Sequence, residues 1–281
     1  MEIFKQIAPL RTYLDHARKS EKSIGLVPTM GALHQGHISL VQKSKSQNSI
    51  TVATIYVNPT QFNNPNDLQK YPKTPEKDLE MLRNGGCDVV FFPDDQEMYA
   101  DTPLLKFDFG HLDKVMEGEF RPGHFSGVAL IVSKLFNIVQ PDSAYFGQKD
   151  WQQFAVIRQL VSELKFNFEL YSVPILREPD GLAMSSRNLR LNQLQRSSAT
   201  VFYQALIMAK NALTSGAGLE TVKKSVSNLV NSKPEMKLEY FELADSKNLT
   251  ILNNVDKAVL PILCIAGYAG EIRLIDNMFL D

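Results

Sequence analysis

Two histidines three residues apart carry the strongest chemical signal in the sequence. They belong to the segment Pro28-Thr29-Met30-Gly31-Ala32-Leu33-His34-Gln35-Gly36-His37, which follows an apolar run and leads into helical spacing. On a helix, His34 and His37 share one face and can reach the same anion. The glycines permit close approach of a ligand to the backbone, and a helix start offers free N–H groups. The segment predicts a phosphate-binding loop; two surface histidines that cap a helix are the alternative.

Other chemistries for the histidine pair fit less well. A zinc site needs a third ligand, and the remaining His16, His111 and His124 do not complete the pattern of a zinc hydrolase. Neither the glycine-rich dinucleotide fingerprint nor a P-loop is present. A phosphate site of another type is therefore favoured.

Two further polar segments could serve the same ligand. In Gly147-Gln148-Lys149-Asp150-Trp151-Gln152-Gln153, Lys149 offers a mobile cation and Gln153 both donates and accepts hydrogen bonds. In Gly181-Leu182-Ala183-Met184-Ser185-Ser186-Arg187-Asn188, two hydroxyls and a guanidinium could cover a triphosphate. The alternatives are an ordinary loop-to-helix junction for the first segment and a helix cap at Ser185 or Ser186 for the second.

The elements that must position these segments alternate between strands and helices. Apolar runs at 24–28, 50–57, 88–92, 142–146 and 166–173 predict buried strands, and helical spacing covers 38–46, 75–84, 125–139 and 151–164. Apolar strands separated by helices are typical of a parallel sheet covered on both faces. In such sheets ligands bind beyond the carboxyl ends of the strands. The predicted fold class is α/β, with a Rossmann-like parallel sheet.

The pattern changes after about Pro174. A helix is predicted over 192–213 and another over 219–230, followed by strand-like runs at 237–243, 258–266 and 271–275. These elements indicate a smaller α+β domain. We therefore expect two domains, 1–176 and 177–281.

Composition excludes several classes of function. The chain has 281 residues with 30 Lys+Arg against 31 Asp+Glu, so no cationic excess exists to bind nucleic acid or anionic lipid. The longest apolar stretch, 258–269, is too short for a membrane helix, and charged residues near the N-terminus argue against a secretory signal. Two cysteines, Cys87 and Cys264, are too few for a disulfide framework. A cytoplasmic protein without nucleic-acid or membrane partners is expected.

Taken together, the motifs resemble a known family. A His-x-Gly-His motif after the first strand marks the nucleotidyltransferase superfamily, and the longer string from Pro28 to His37 resembles the pantoate–β-alanine ligases. Val57-Asn58-Pro59-Thr60-Gln61-Phe62, Arg121-Pro122-Gly123-His124-Phe125, the Lys149 segment and Met184-Ser185-Ser186-Arg187 match further stretches of that family. The resemblance covers most of the chain through Asn188 and is thinner beyond.

The resemblance implies an activity and a set of site residues. Pantoate would be activated by ATP to a pantoyl-adenylate, which β-alanine then attacks to give pantothenate and AMP. Catalytic roles would fall to His34, His37, Lys149 and Arg187. The remaining ATP contacts would be Met30, Gly31, Ala32, Leu33, Gln35, Gly36, Gly147, Gln148, Asp150, Leu176, Met184, Ser185 and Ser186.

The resemblance also assigns the acid substrate, the metal and the assembly. Pantoate and β-alanine would contact Gln61, Gln153, Asn58 and Arg121, although Arg121 also reads as a solvated loop cation. Mg²⁺ would bind mainly phosphate oxygens and water; because Lys77 interrupts the acidic residues that some relatives have here, Asp78 is a doubtful metal ligand. A homodimer through the N-terminal domain is expected.

Two other functions are compatible with these motifs, and the C-terminal domain has an expected conformational role. Another nucleotidyltransferase could share the histidine motif, and an inactive nucleotide-binding module could share the fold. The C-terminal domain is expected to act as a lid, with a hinge over 174–188 that carries Ser185, Ser186 and Arg187 to the phosphates.

Overall fold

The computed structural model describes residues 1–256 and 259–280. Its strands are β1 (Glu2–Phe4), β2 (Ile24–Val27), β3 (Ile50–Thr54), β4 (Val89–Phe91), β5 (Ser143–Gly147), β6 (Glu169–Val173), β7 (Met236–Asp245), β8 (Pro261–Ala269) and β9 (Ile272–Phe279). Its α-helices are α1 (Ile7–Lys19), α2 (Gln35–Lys45), α3 (Pro65–Gln69), α4 (Pro75–Asn84), α5 (Asp95–Met98), α6 (Glu117–Phe120), α7 (His124–Val139), α8 (Trp151–Glu163), α9 (Gln193–Ser198), α10 (Val201–Thr214) and α11 (Leu219–Asn231).

The first six strands form one sheet in the order β1-β4-β3-β2-β5-β6, and each pair of adjacent strands is parallel. Strands β2 and β3 are buried along their whole length, which explains their continuous apolar sequence. β2 and β5 are neighbours, so the loop that begins at Pro28 and the segment that follows Gly147 leave adjacent strands. This places two of the predicted binding segments at the carboxyl ends of central strands, as expected for an α/β sheet. The predicted fold class is confirmed.

The last three strands form a separate antiparallel sheet in the order β7-β8-β9. Helices α10 and α11 pack on it through a core of apolar side chains that includes Phe202, Leu206, Val226 and Ile265. This is the smaller α+β part that the sequence predicts.

The chain divides into two compact units that are not contiguous in sequence. Unit 1 comprises 1–109, 121–148 and 156–174, and unit 2 comprises 110–120, 149–155 and 175–281. The chain therefore passes between the units five times, once inside α8. The sequence-based division at 176/177 places the segments 110–120 and 149–155 in the first domain, whereas the structure assigns them to unit 2. Nothing in the composition of these segments distinguishes them from their neighbours.

Several predicted elements differ from those observed. The single helix expected over 192–213 is two helices, α9 and α10, interrupted at Ala199 and Thr200. Near this break the hydroxyls of Ser197 and Thr200 bond the carbonyls of Leu194 and Ser197, an alternative to regular helix bonding. β1 and α1 were not predicted at all. Part of the run predicted at 258–266, Ala258, lies outside the described residues.

Across the described part of the chain, no helix combines the length and apolar character needed to cross a bilayer. Both cysteines are buried free thiols, and burial raises the pKa of the Cys87 thiol to about 11 and that of Cys264 to about 12. Thiol chemistry is therefore suppressed at neutral pH.

Candidate active site

The loop after β2 is held in an unusual backbone conformation. Gly31 has φ +77°, and Ala32 follows with φ +48°, a left-handed conformation that costs a residue with a Cβ about 1–2 kcal/mol. The Thr29 hydroxyl donates to the Thr54 carbonyl at 2.5 Å and accepts from the Gly31 N–H at 3.2 Å. The glycine at position 31 is thus required by the turn, as the sequence indicated.

The N–H groups of this loop are largely bonded to the protein itself. Ala32 N and Leu33 N donate to the two carboxylate oxygens of Asp78 at 2.9 and 2.7 Å. The His34 N–H donates to the His37 ring, and the N–H groups of Gln35 and Gly36 then occupy the first two positions of α2, where a helix supplies no acceptor. Among the backbone groups predicted to cradle phosphate, Gln35 and Gly36 are therefore the ones placed to donate.

The two histidine rings lie together at the start of α2. Their centroids are 4.0 Å apart, and His37 Nδ1 accepts the backbone N–H of His34 at 3.2 Å. A backbone N–H only donates, so Nδ1 carries no proton in this geometry. Neutral His37 then carries its proton on Nε2, which makes Nε2–H a hydrogen-bond donor. The rings are neighbours, as the spacing predicts, but His34 is the extended N-cap of α2 and not a residue on its face.

Gln61 is buried beside the same loop. Its Oε1 accepts from Asn58 Nδ2 at 3.0 Å, and its Nε2 lies 3.2 Å from Met30 Sδ. A thioether is a weak acceptor, so a substrate hydroxyl or carboxylate would be a better partner for this amide. Gln61 is thus oriented by the protein, and its Nε2 remains able to donate a hydrogen bond to a substrate.

Asn58 is the centre of a buried hydrogen-bond network. Its Nδ2 also donates to the Gly127 carbonyl at 3.1 Å, and its Oδ1 accepts from Tyr99 Oη at 2.8 Å and Thr60 Oγ1 at 3.0 Å. Burial raises the pKa of the Tyr99 phenol, which keeps it protonated as a donor. Lys134 lies over the Tyr99 ring at 4.2 Å. Both amide hydrogens of Asn58 are donated within the protein, and the bond to Gln61 Oε1 holds the Gln61 side chain in place.

Arg121 precedes the start of α7. Its carbonyl accepts the His124 N–H at 3.0 Å, and the His124 ring Nδ1 lies 2.8 Å from the Gln61 carbonyl oxygen. His124 is buried and so links the first turn of α7 to the Gln61 segment. In the sequence, His124 stands only within a matched string and carries no signal for this supporting contact.

A cavity of about 570 Å³ lies in unit 1 beyond the ends of β2, β3 and β4. Met30, Gly31 and Ala32 form one wall, and Tyr56, Lys73 and Asp94 contribute polar groups. Burial and the hydrogen bond to Asp95 raise the pKa of Tyr56, so its hydroxyl stays protonated. The first loop therefore borders open space on this side.

The segment after β5 contains Lys149, Gln152 and Gln153, which differ in their contacts and in their burial. The sequence pattern predicts a turn at Gly147, but this residue is the last of β5 and has space for a Cβ, so the fold does not demand glycine there. Within unit 2, Lys149 Nζ lies 3.8 Å from Asp150 Oδ1, and the Lys149 carbonyl accepts from Asn277 Nδ2 at 2.8 Å. Gln152 is buried, whereas Gln153 is half-buried.

The third segment is a loop stabilised by short-range contacts. Ser185 caps the 3₁₀ turn Ser186–Arg190, its Oγ accepting the Arg187 N–H at 3.3 Å. Met184 N donates to the Leu176 carbonyl, and Asn188 Nδ2 donates to the Ala183 carbonyl. The cap that the sequence offered as an alternative at Ser185 is thus real. Arg187 is half-buried on this turn.

Unit 2 brings Lys149 and the Ser185 loop together. Lys149, Ser185, Asn188 and Asp276 line one small cleft. The predicted ligand-binding cation and hydroxyl, far apart in sequence, are neighbours in this unit. The cleft holds only about 10 Å³ and includes the Asp276 carboxylate, so it places the cation and the hydroxyl side by side without itself accommodating a phosphate.

The described residues contain no group of three or more His, Cys, Asp or Glu placed to hold a metal ion. Asp78 is almost fully buried, at 1% exposed, and its carboxylate accepts three hydrogen bonds from the protein. A metal carried by phosphate oxygens and water suits this donor set better than a protein-held ion.

The chain is similar over nearly its full length to one family of enzymes. The profile of the Pantoate-beta-alanine ligase family matches residues 2–279. The chain is 46% identical to the pantothenate synthetase of Cytophaga hutchinsonii over 97% of this chain and 96% of that protein. It is also 46% identical to that of Porphyromonas gingivalis over 99% of both.

Solved structures show the same likeness in three dimensions. The pantothenate synthetase of Thermus thermophilus superposes with a TM-score of 0.93 at 37% identity, covering 100% of this chain and 99% of that one. The pantoate-beta-alanine ligase of Francisella tularensis, in complex with beta-gamma ATP and beta-alanine, superposes with a TM-score of 0.84 at 35% identity, covering 100% and 98%. The chain therefore belongs to the pantoate–β-alanine ligase family.

Proposed function

We propose that the protein condenses pantoate with β-alanine at the expense of ATP, forming pantothenate, AMP and pyrophosphate. The observation that carries this proposal is the histidine pair at the start of α2, within a chain whose family match runs from residue 2 to residue 279. The ATP and β-alanine named for the Francisella complex support the same substrates here.

The proposed ATP contacts combine the donors described above with the positions that the family resemblance implies. His34, His37, Lys149 and Arg187 supply side-chain donors, and Gln35 and Gly36 supply backbone N–H groups. The remaining contacts are Met30, Gly31, Ala32, Leu33, Gly147, Gln148, Asp150, Leu176, Met184, Ser185 and Ser186. Because Lys149 and Ser185 are neighbours in unit 2, both would reach one anionic ligand bound beside them.

The proposed contacts to the acid and the amine are Gln61, Gln153 and Arg121. Gln61 is the best supported, because its amide is fixed by Asn58 and its Nε2 faces only a thioether sulfur. Asn58 is proposed to act through Gln61, since its own amide hydrogens already bond the protein.

The reaction has two balanced steps. A pantoate carboxylate oxygen bonds the α-phosphorus of ATP as the bond to pyrophosphate breaks, which gives pantoyl-adenylate. The amine of β-alanine then bonds the acyl carbon, AMP leaves, and the amine loses a proton. The first step brings two anions together, and the second develops negative charge on the acyl oxygen and the departing AMP, so positioned donors lower both barriers. Nε2–H of His37 is proposed to stabilise charge on the transferring phosphate.

Three further features belong to the proposal. Mg²⁺ enters as MgATP, held by phosphate oxygens and water. The protein works in the cytoplasm as a homodimer formed through the N-terminal domain. Light scattering of the purified chain tests the assembly, and a monomeric mass would refute it.

Mass spectrometry of the products tests the reaction. The protein is incubated with MgATP, pantoate and β-alanine, and pantothenate with AMP and pyrophosphate is expected. ADP with phosphate would exclude an adenylate. Adenylyl or cytidylyl transfer to another acceptor, without pantothenate, would favour a different nucleotidyltransferase.

A further inference from the structure

Asp78 contacts the first loop at its most distorted point. Its Oδ2 accepts the N–H of Ala32, the residue with φ +48°, and its Oδ1 accepts the N–H of Leu33. A Cβ on Gly31 would lie 3.0 Å from the same Oδ2. The carboxylate therefore packs directly under the left-handed turn.

The carboxylate is itself held from the helix side. Asp78 lies in the first turns of α4, where its N–H donates to the carbonyl of Thr74 and its Oδ1 accepts from Thr74 Oγ1 at 3.1 Å. A buried carboxylate is stable only when it is hydrogen-bonded. These bonds account for its burial without a metal ion.

The contact leads directly to the histidine pair. Leu33 precedes His34, whose N–H donates to His37 Nδ1. Both Asp78 oxygens already accept loop N–H groups, so binding a cation there would compete with the bonds that shape the loop.

We propose that Asp78 is a positioning residue that fixes the loop from Gly31 to His34, and through it the donor geometry of His37, and that it is not a magnesium ligand. This inference rests on the proposed function for its kinetic consequences but not for its structural ones. An anchored loop requires no reorganisation when the phosphates bind, which is how preorganised donors lower a barrier.

Asp78→Asn in the full-length protein tests the proposal. The variant retains one oxygen but places an amide NH₂ against a loop N–H, so one anchoring bond is lost. We expect a tenfold or greater rise in KM for ATP and a tenfold to hundredfold slower adenylate formation, measured by isotope exchange between pyrophosphate and ATP. Partial unfolding alone would lower kcat through the active fraction and leave KM for ATP unchanged.

A control and a milder variant make the test specific. Glu76→Gln alters another carboxylate in the first turn of α4, one that is exposed and does not line the cavity, and should keep wild-type kinetics. Thr74→Val removes only one bond to Asp78 and should shift KM for ATP in the same direction by less, which covers the case that Asp78→Asn fails to fold.

Two readouts decide between anchor and metal ligand. Amide hydrogen exchange of Ala32 and Leu33 should be at least tenfold faster in Asp78→Asn than in the wild type, whether or not the protein makes pantothenate. Unchanged exchange would overturn the anchor. Restoration of Asp78→Asn activity by excess Mg²⁺ would show a metal ligand instead and would also overturn it. Absence of pantothenate with the wild-type protein would refute the proposed function alone.

Discussion

At the residue scale, the tautomer of His37 determines what this side chain can do. Because Nδ1 accepts the His34 N–H, the neutral ring presents Nε2–H as its donor, and no protonation of the ring is required. We expect His37→Ala to slow adenylate formation by roughly 10²–10³, the cost of one preorganised donor. Isotope exchange between pyrophosphate and ATP measures this step without the amine.

We expect Lys149→Ala and His34→Ala also to slow adenylate formation by roughly 10²–10³. The stability of all three variants should change little, since none of the three side chains is fully buried. Near wild-type exchange in His37→Ala would remove this residue from the mechanism.

Gln61 should determine which acids are accepted. Its amide is held by Asn58, and among the described residues its Nε2 has only the Met30 thioether as a partner. A pantoate analogue lacking one hydroxyl would leave this buried amide without its partner, and we expect kcat/KM to fall by up to about 10⁴–10⁵ in a dry site. Equal kcat/KM for pantoate and the deoxy analogue would show that the hydroxyls are recognised elsewhere.

The sequence could predict the donors of the site but not what holds them. His34, His37 and Lys149 carry their chemistry in their residue types and follow apolar strands, so their placement could be inferred. Asp78, by contrast, lies 45 and 46 positions from the amides it bonds, and a lone carboxylate in a helix has no sequence signal for such a contact. Supporting contacts between distant segments require the fold.

At the scale of elements, a buried ionic network holds the short segment 110–120 within unit 2. Glu117 accepts from both Nη atoms of Arg273 and from Tyr240 Oη, and its N–H donates to Gln152 Oε1 at 3.0 Å. Gln152 also donates to the carbonyls of Leu112 and Val115. α6 is thereby joined to β7, β9 and the beginning of α8.

Glu117→Gln should therefore be strongly destabilising. The side chains of Glu117 and Arg273 are only 8% and 17% exposed, and a broken buried pair costs about 3–5 kcal/mol. Because Arg273 keeps its bond to Glu239, we expect about 3 kcal/mol in the free energy of unfolding, measured by urea denaturation.

Asp180→Asn provides the matched control. Asp180 pairs with Arg196 at a similar distance but is 46% exposed, so its loss should cost about 0–1 kcal/mol. Equal costs for the two substitutions would mean that burial does not set the strength of the Glu117 pair.

Strands β2 to β5 were predictable because they are mostly apolar and buried. β1, three largely exposed residues, has no apolar run, and β6 begins three residues later than predicted and is only half-buried. α4 was predicted at its observed bounds, with Pro75 at its first position. The division of the helix at Ala199 was not, since its apolar periodicity continues across the break. The assignment of 110–120 and 149–155 to unit 2 depends on Glu117 and Gln152, whose partners are distant in sequence.

At the scale of the whole molecule, contacts within unit 2 restrict where the hinge expected over 174–188 can lie. Arg177 pairs with Ala183 in an antiparallel bridge and holds Asp276 through two hydrogen bonds. The Leu176 carbonyl accepts the Met184 N–H. These bonds tie residues from Leu176 onward into unit 2, so any hinge in this segment is proposed to lie at Pro174 and Ile175.

The loop that carries Arg187 should then protect the reaction intermediate. An acyl-adenylate is hydrolysed when water reaches it, and a covering cation both binds the phosphate and excludes solvent. We expect Arg187→Ala to weaken ATP use and to release AMP in excess of pantothenate, whereas the wild type forms the two in equal amounts. Quantifying both products by mass spectrometry in one reaction gives the ratio directly. Arg190→Ala, on the same turn but outside the matched string, is the control and should keep the ratio at one. A slower reaction with a ratio of one in Arg187→Ala would limit this residue to binding ATP. Crystal structures with and without a non-hydrolysable ATP analogue would then be compared at the backbone torsions of Pro174 and Ile175, and identical torsions would exclude a hinge there.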